Sequence, residues 1–570
     1  MRYLVLACDY DGTLALDGRV AEETIEALER LVASGRKLIL VTGRELDDLL
    51  SVFSQIHIFE WVVAENGALL FCPATKEKRR QGDPPPAKFI RALQARGVEP
   101  LAVGDVIVAT SHPNENAVLN IIRDLGLEMQ VIFNKGAVMV LPAGINKASG
   151  LQLALSEMGI SPHNVVGIGD AENDHAFLSL CECSVAVADA LPTVKEKADF
   201  VTSSPHGLGV IELIEEITRD DLRNREDRLT RHHIVLGSRE SGEEVRIKPY
   251  GSNLLLAGSS GGGKSTLATG ILERLVEQGY QFCVIDPEGD YESLEGAVAL
   301  GTKQQAPNID EVLRLLEDPS DNAVVNLVGV PLKDQPAFFL ALLSHLQELR
   351  AQTGHPHWLI VDETHHVLPA SWKPAELSLP KEFDRVIFIT VQPKSVAPKA
   401  LTSVNTVIAV GNAAEQTFTE ASEVLGESPP STEPVSLEHG EVLMWLRQKN
   451  SPPFKLRILP SRSEGQRHRR KYAEGDLGSE RSFYFQGPAG ELNLQAQNLI
   501  IFMQIADGVD DDTWNHHLHR RDYSRWFREV IKDETLAGEA ERIEARHDLP
   551  ARESRALIRA AIEERYTVPA

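Results

Sequence analysis

The stretch NLLLAGSSGGGKST, residues 253–266, constrains this chain more than any other. An apolar run, a glycine-rich turn and the helix-forming TLATGILERLVEQG follow one another without a break. A strand that enters such a loop and leaves it as a helix belongs in a parallel sheet with helices on its faces. An α/β architecture is therefore expected. The loop itself, Gly258-Ser259-Ser260-Gly261-Gly262-Gly263-Lys264-Ser265, has the GxxxxGK[ST] spacing that lets backbone N–H groups close around phosphates, helped by the helix N-terminus. Lys264 is placed to reach the β- and γ-phosphates of ATP and Ser265 to hold Mg²⁺, with Thr266 next in the same nucleotide set. The partner strand, His357-Trp358-Leu359-Ile360-Val361, ends in Asp362 and Glu363. Asp362 would complete the Mg²⁺ shell and Glu363 would polarise the attacking water.

A second centre is written at the start of the chain. Asp9-Tyr10-Asp11-Gly12-Thr13-Leu14 follows the apolar YLVLAC directly, so both carboxylates project from the carboxyl end of a buried strand, where open α/β sheets bind ligands. Two carboxylates two residues apart share one face of an extended chain, and they can divide the roles of nucleophile and proton carrier. Crowded carboxylates call for a cation, and Mg²⁺ suits oxygen ligands together with a phosphate. Thr42 in VTGR offers a hydroxyl and Lys147 in GINKASG a compact positive charge. Asp170, Asn173 and Asp174 in GIGDAENDHAF add a further metal carboxylate and polar supports. A phosphoryl transition state spreads charge over its equatorial oxygens, and a lysine, a hydroxyl and a metal are what stabilise it.

These four motifs in this order, with AENGA at 64–68, resemble the haloacid dehalogenase superfamily of phosphatases, in its Cof-like branch. The resemblance covers residues 1–215. It implies a Rossmann-like domain with an inserted α/β cap at about 72–142. It also implies that Asp9 forms the aspartyl-phosphate and that Asp11 protonates the leaving group and then activates water. Asp170 would bind Mg²⁺ with Asp9, Asp11 is counted in the same metal set, and Asn173 and Asp174 would orient the site. A short cap implies a small phosphorylated metabolite as substrate.

The second half is similar to the HerA/FtsK group of P-loop ATPases, which includes VirB4-like motors, through VIDPEGDY (284–291), FITVQPKSV (388–396) and the flanking strands. It covers about 232–460 and implies a RecA-like domain in which Gln392 senses the γ-phosphate. Members are commonly ring-shaped hexamers that move nucleic acid or polypeptide through a pore, so a homo-oligomer is implied. They take an arginine from the neighbouring subunit, a role open to Arg447 or Arg385. The tail around GVDDDTWNHHLHRRDYSRWFREVIKDETLA resembles a small helical domain found appended to varied enzymes, with Trp514, Tyr523, Trp526 and Phe527 as core.

The expected organisation is thus a phosphatase domain at 1–215, a charged linker at 216–233 and an ATPase domain at 234–462. A basic arm follows at 463–482, and a mainly helical domain at 483–570. Lys and Arg number 58 against 83 Asp and Glu, a net charge of −25. That balance favours a small phosphorylated metabolite over nucleic acid as partner, although Arg467, Arg469, Arg470 and Lys471 form a local basic run. No run approaches the roughly 20 apolar residues that span a bilayer, and five scattered cysteines read as reduced thiols, so a cytoplasmic protein without a membrane partner is expected. Cys181 and Cys183 lack a second ligand pair and read as buried thiols; His365-His366 and the cluster His516, His517, His519 read as packing residues before metal ligands.

Three functions remain open. The first is a Mg²⁺-dependent phosphomonoesterase regulated by or coupled to an ATPase. The second is an oligomeric translocase on nucleic acid whose phosphatase processes ends. The third is an ATP-gated interaction protein.

Overall fold

The computed structural model describes residues 1–566 except 135, 260–262, 372–382, 412, 432–434, 439, 448–450, 463–471, 474–476, 478–480, 491, 532 and 547. Residues Met1–Leu459 form one compact unit and Pro460–Ala570 a second.

The apolar runs at the start of the chain become the middle of an eight-stranded sheet. Its order is Phe200–Val201, Cys183–Ala186, Val165–Gly169, Val5–Asp9, Lys37–Val41, Trp61–Ala64, Leu69–Cys72 and Glu77–Arg80. The first six run parallel and the last two antiparallel. Val5–Asp9 is buried along its whole length, as a central parallel strand with helices on both faces must be.

The inserted layer has its own four-stranded sheet, ordered Ala102–Val103, Val108–Ser111, Ala137–Pro142 and Met129–Asn134. Helices Ala87–Ala95 and Glu115–Asp124 bury Phe89, Leu93, Val118 and Ile121 against it. It begins later than the expected residue 72. Leu69–Cys72 and Glu77–Arg80 form a hairpin that extends the main sheet instead. Glu-Lys-Arg-Arg has no apolar alternation because it is an exposed edge strand, where charge blocks further pairing.

The charged run at 216–233 also differs from a free linker. The helix His206–Asp220 runs into it, and Leu222 and Leu229 are buried in the core around the first sheet. Arg231 donates to the carbonyls of Leu178, Ser179 and Cys181. Two well-spaced leucines suffice to pin a charged segment.

The second sheet has eleven strands. From one edge these are Glu244–Ile247, Ile234–Ser238, Phe454–Ile458, Glu441–Leu446, Thr406–Val410 and Asn253–Gly258, followed by Val386–Thr390, Trp358–Val361, Phe282–Asp286, Ala323–Asn326 and Val298–Leu300. The last seven are parallel, and the flanking four are antiparallel.

The two sheets meet base to base. Tyr250, Tyr280, His355 and His357 all precede strands of the second sheet, and they bond to residues that precede strands of the first. The Tyr250 hydroxyl donates to the His163 carbonyl at 2.8 Å, and the Tyr280 hydroxyl donates to Glu182 Oε2 at 2.8 Å. His355 Nε2 lies 3.0 Å from the Gly159 carbonyl, and the His163 ring stacks on Tyr280 at 3.8 Å. At the centre Glu182 is fully buried with Arg2 Nη2 at 2.8 Å and His163 Nδ1 at 2.7 Å. Burial opposes its charge, but the His163 and Arg2 contacts win and hold its carboxyl well below the usual range.

The unit Pro460–Ala570 packs the hairpin Phe483–Phe485 and Leu494–Ala496 against helices that include Leu499–Gly508, Asp511–Arg520, Glu534–Glu544 and Ala551–Tyr566. Trp514, Tyr523, Trp526 and Phe527 are core residues, as expected. Trp514 Nε1 donates to Ser554 Oγ and Tyr523 to the Trp514 carbonyl. No described helix is long and apolar enough to cross a membrane.

Candidate active sites

Three parallel strands deliver the first site. Val5–Asp9 ends at Asp9, Lys37–Val41 is followed by Thr42, and Val165–Gly169 is followed by Asp170. Lys147 opens the helix Lys147–Glu157, whose N-cap Asn146 accepts from the backbone of Ala148 and Ser149. Asp9, Asp170 and Asp174 present carboxylate oxygens that all lie within 4.8 Å of one another. Lys147 Nζ bridges Asp9 Oδ1 and Asp174 Oδ1, the latter at 2.6 Å. The other Asp174 oxygen accepts from the backbone of Asp170 at 2.8 Å and Ala171 at 2.9 Å, which locks the loop.

All four charged groups are buried. Burial, with Asp174 and Asp170 nearby, pushes the Asp9 carboxyl well above its ordinary value despite Lys147. Burial lowers and the two aspartates raise the Lys147 ammonium, and the aspartates prevail. Three carboxylates against one ammonium leave negative charge that a divalent cation would balance. The donor set is all oxygen, which fits Mg²⁺.

The remaining residues fall around this centre. Thr42 is fully buried, and its hydroxyl accepts from the Arg44 backbone at 3.1 Å. Asn173 Nδ2 donates to Asn66 Oδ1 at 2.9 Å, while Asn173 Oδ1 has no partner. The carboxylate of Asp11 departs from its expected place among the metal ligands. Arg44 grips it bidentately, Nε at 2.6 Å and Nη2 at 2.7 Å, and it lies outside the three-carboxylate cluster. A planar fork from a residue 33 positions away wins over local sequence spacing.

Sequence spacing missed three supports. Arg44 is one. Thr13 Oγ1 donates to Asp170 Oδ1 at 2.9 Å. Glu65, inside AENGA, is buried and accepts backbone N–H groups from Asp105, Val106 and Ile107 at 2.8, 2.8 and 3.0 Å, tying the inserted layer to the main sheet. Asn66 beside it, at a left-handed φ of 54°, meets Met139 of that layer.

The second site forms at the carboxyl ends of adjacent strands. Gly258 ends Asn253–Gly258 with φ 146°, and a Cβ there would sit 2.1 Å from the Val410 carbonyl, so glycine is required. Ser259 follows, Gly263 caps the helix Lys264–Glu277, and Ser265 and Thr266 occupy its first turn. Ser260, Gly261 and Gly262 lie outside the described residues, as do Arg467, Arg469, Arg470 and Lys471. Lys264 Nζ folds back to donate to the Gly258 and Ser259 carbonyls at 3.0 and 3.1 Å. Burial lowers its pKa against the pull of Glu363 and Asp362.

Asp362 is buried after Trp358–Val361, and burial with Glu363 beside it raises its pKa. Glu363 adopts a left-handed φ of 35°. Its Oε2 is buried 3.3 Å from His365 Nδ1 without an aligned hydrogen bond, and burial and Glu288 raise its pKa. This carboxylate is thus held half-desolvated. Gln392, exposed, opens the turn after Val386–Thr390. Asp286 of VIDPEGDY is buried and accepts from Gly289, Asp290 and Tyr291, so it shapes the loop that carries Glu288.

Other candidates are placed as follows. Cys181 and Cys183 are buried, and no described metal-capable cluster contains a cysteine. His517 is spent on Asp522 at 2.8 Å and on the Gln486 backbone at 2.9 Å. Arg447 pairs with Glu427 and is hydrogen-bonded at Nη1 to the Val404 carbonyl. It and Arg385 stand at the end of the sheet opposite the glycine-rich loop.

Two stretches of the chain match known families. The family model for haloacid dehalogenase-like hydrolases matches residues 6–91 and 117–214. The model for the central domain of helicase HerA matches residues 245–318. A phosphoglycolate phosphatase of Methanothermobacter thermautotrophicus is 33% identical over 219 residues, covering 37% of this chain and 96% of that protein. Phosphoglycolate phosphatase 2 of Saccharolobus solfataricus is 28% identical over 224 residues, 38% of this chain and 92% of that protein. A crystal structure of a haloacid dehalogenase-like hydrolase from Bacteroides thetaiotaomicron aligns with TM-score 0.34 and 20% identity over 38% of this chain and 99% of its own.

Proposed function

The chain belongs to the haloacid dehalogenase-like hydrolases through its first domain and carries a HerA-type ATPase domain behind it, and from that premise we propose that it hydrolyses a small phosphomonoester under the influence of ATP. The observation that carries the reading is the buried cluster of Asp9, Asp170, Asp174 and Lys147 beneath the inserted layer. Asp9 attacks phosphorus. Lys147 neutralises charge on the phosphoryl oxygens and aims Asp9 through its bridge to Asp174. The Thr42 hydroxyl is available to a phosphate oxygen. Asp11, as the acid, gives its proton to the leaving oxygen and then, as the carboxylate, takes a proton from the attacking water.

Mg²⁺ held by Asp9, Asp170 and Asp174 would supply charge neutralisation at the phosphate. An inserted layer tied to the main sheet by Glu65 suits a substrate of few atoms. The two curated relatives point to 2-phosphoglycolate as the first compound to try. Because the sheets join at their bases, the two sites open on opposite sides of the unit. ATP therefore acts through the shared base and not by passing substrate from site to site.

The test is phosphate release from a panel of phosphorylated acids and sugars, 2-phosphoglycolate included, with and without ATP. Turnover that falls at least ~10³-fold in Asp9→Asn supports the reading, since loss of a nucleophile costs that order or more. No turnover above the Asp9→Asn background on any panel member overturns it. Lys264→Ala should remove ATP hydrolysis and the effect of ATP while leaving turnover without ATP unchanged.

A further inference from the structure

The helix His206–Asp220 begins beside the first site and brings a ring that the mechanism above does not use. His206 Nδ1 donates to the Gly12 carbonyl at 2.9 Å, and Gly12 directly follows Asp11. A carbonyl only accepts, so Nδ1 carries the proton. The other ring nitrogen, Nε2, lies 2.9 Å from Asp189 Oδ2, and Asp189 Oδ1 accepts from the His206 backbone at 3.3 Å. Asp189 thus grips His206 by ring and main chain together.

The His206 backbone sits at a left-handed φ of 47°. That conformation is uncommon outside glycine, and it persists where the surroundings over-determine it. The surroundings here are close. A Cβ on Gly207 would lie 2.4 Å from Thr24 Oγ1 and 3.2 Å from the Leu14 carbonyl, so the helix start is seated on the loop that carries Asp11. That loop turns tightly: Ala15 donates to the Tyr10 carbonyl at 2.8 Å, and Gly12 donates to the Ala15 carbonyl at 2.9 Å. Asp189 belongs to a neighbouring loop, whose Leu191 N–H donates to the Asp170 carbonyl at 2.9 Å. His206 therefore ties the loop of Asp11 to the loop that supports Asp170.

We propose that His206 is a positioning residue of the phosphatase, which sets the place of Asp11 by holding the Gly12 carbonyl. The inference rests on the phosphatase reading above. Arg44 holds the Asp11 carboxylate from one side, and His206 holds the peptide that follows it. Gly12, at φ 91°, leaves that peptide a freedom that the His206 bond removes. A proton carrier must lie within hydrogen-bond reach of the leaving oxygen, and a misplacement of about 1 Å can cost on the order of 10²-fold in rate. One bond to the adjacent peptide thus weighs more on turnover than on stability.

The experiment is a double-mutant cycle of His206→Gly and Asp11→Asn in the full chain. It reads kcat/KM on whichever of 2-phosphoglycolate and p-nitrophenyl phosphate the native chain turns over faster. Glycine accepts the left-handed backbone and removes the ring. On the native background kcat/KM is expected to fall at least ~10-fold, a share of the roughly 10²–10⁴ that a positioned acid contributes. On the Asp11→Asn background it should fall less than about two-fold, because the group being positioned is gone. His206→Asn returns a donor near the Nδ1 position and should recover kcat/KM to within about three-fold of native. Urea midpoints check that each variant is folded. If His206→Gly is not, Asp189→Ala, which releases the ring without touching the helix, takes its place in the cycle with the same expectation.

Equal losses on the two backgrounds, native turnover in folded His206→Gly, or His206→Asn no better than His206→Gly each overturn this proposal alone. A native chain no faster than Asp9→Asn on both compounds overturns it too, and the wider panel then decides whether the phosphatase reading falls with it.

Discussion

Asp9, Asp170, Asp174 and Lys147 show how burial turns ordinary side chains into a reactive set. Each would be unremarkable on a surface. Gathered where water is scarce, the three carboxylates repel one another, and one ammonium only partly relieves them. A divalent cation would complete the balance, so treatment with a chelator should abolish phosphate release. Added Mg²⁺ should restore it, and stopped-time phosphate assays across a Mg²⁺ titration read the effect; full activity after exhaustive chelation would remove the cation from the site. The positions of Asp9, Thr42 and Asp170 were legible because strand-end motifs announce themselves locally, and that of Lys147 because its motif opens a helix. Arg44 was not, since nothing in VTGR says that its guanidinium turns to Asp11.

At the scale of elements, Glu65 is a side chain that reaches across to the inserted layer and ties it down. Glu65 takes three backbone N–H groups from the turn Asp105–Ile107, and a Cβ at Gly104 would lie 2.5 Å from its carboxylate. Hydrogen bonds to a buried charge contribute about 1.5–3 kcal/mol each at most, and a neutral amide cannot accept all three equally. Glu65→Gln should therefore cost about 1–3 kcal/mol locally and speed amide exchange at 105–107 while leaving the main sheet protected. Unchanged exchange there would show that the other contacts hold the layer without Glu65. The motif AENGA was visible in the sequence; that its acid is a structural tie was not. The hairpin through Glu77–Arg80 was hidden for a related reason, because an exposed edge strand carries the composition of a loop.

For the unit Met1–Leu459 as a whole, the joint at Glu182 decides whether the two sheets behave as one body. Removing one member of a buried ion pair costs about 3–5 kcal/mol, so Glu182→Gln should split a single calorimetric transition of this unit into two. The pH dependence follows from the sign of the shift. The folded carboxyl lies below its unfolded value of roughly 4.3, so its stabilisation is complete above that value and is lost as pH falls below it. Urea midpoints at pH about 7 and about 3.5 should then differ more for the native chain than for Glu182→Gln. Equal differences would place the joint's strength in the stacking of His163 on Tyr280.

Local sequence was enough to determine what each strand end carries: the phosphate loop, the paired acids and the four motifs of the hydrolase. Spacing of a few residues fixes backbone geometry, and those chemistries need only backbone geometry and a carboxyl end. Tertiary structure alone decided everything that depends on residues far apart in the chain. It turned Asp11 to Arg44, put Glu65 under the inserted layer and joined Glu182 to Tyr280 across the two sheets. It also carried Arg385 away from the nucleotide loop and brought His206 to the Gly12 carbonyl. Long side chains choose partners by proximity in space, and 98 residues separate Glu182 from the tyrosine that satisfies it.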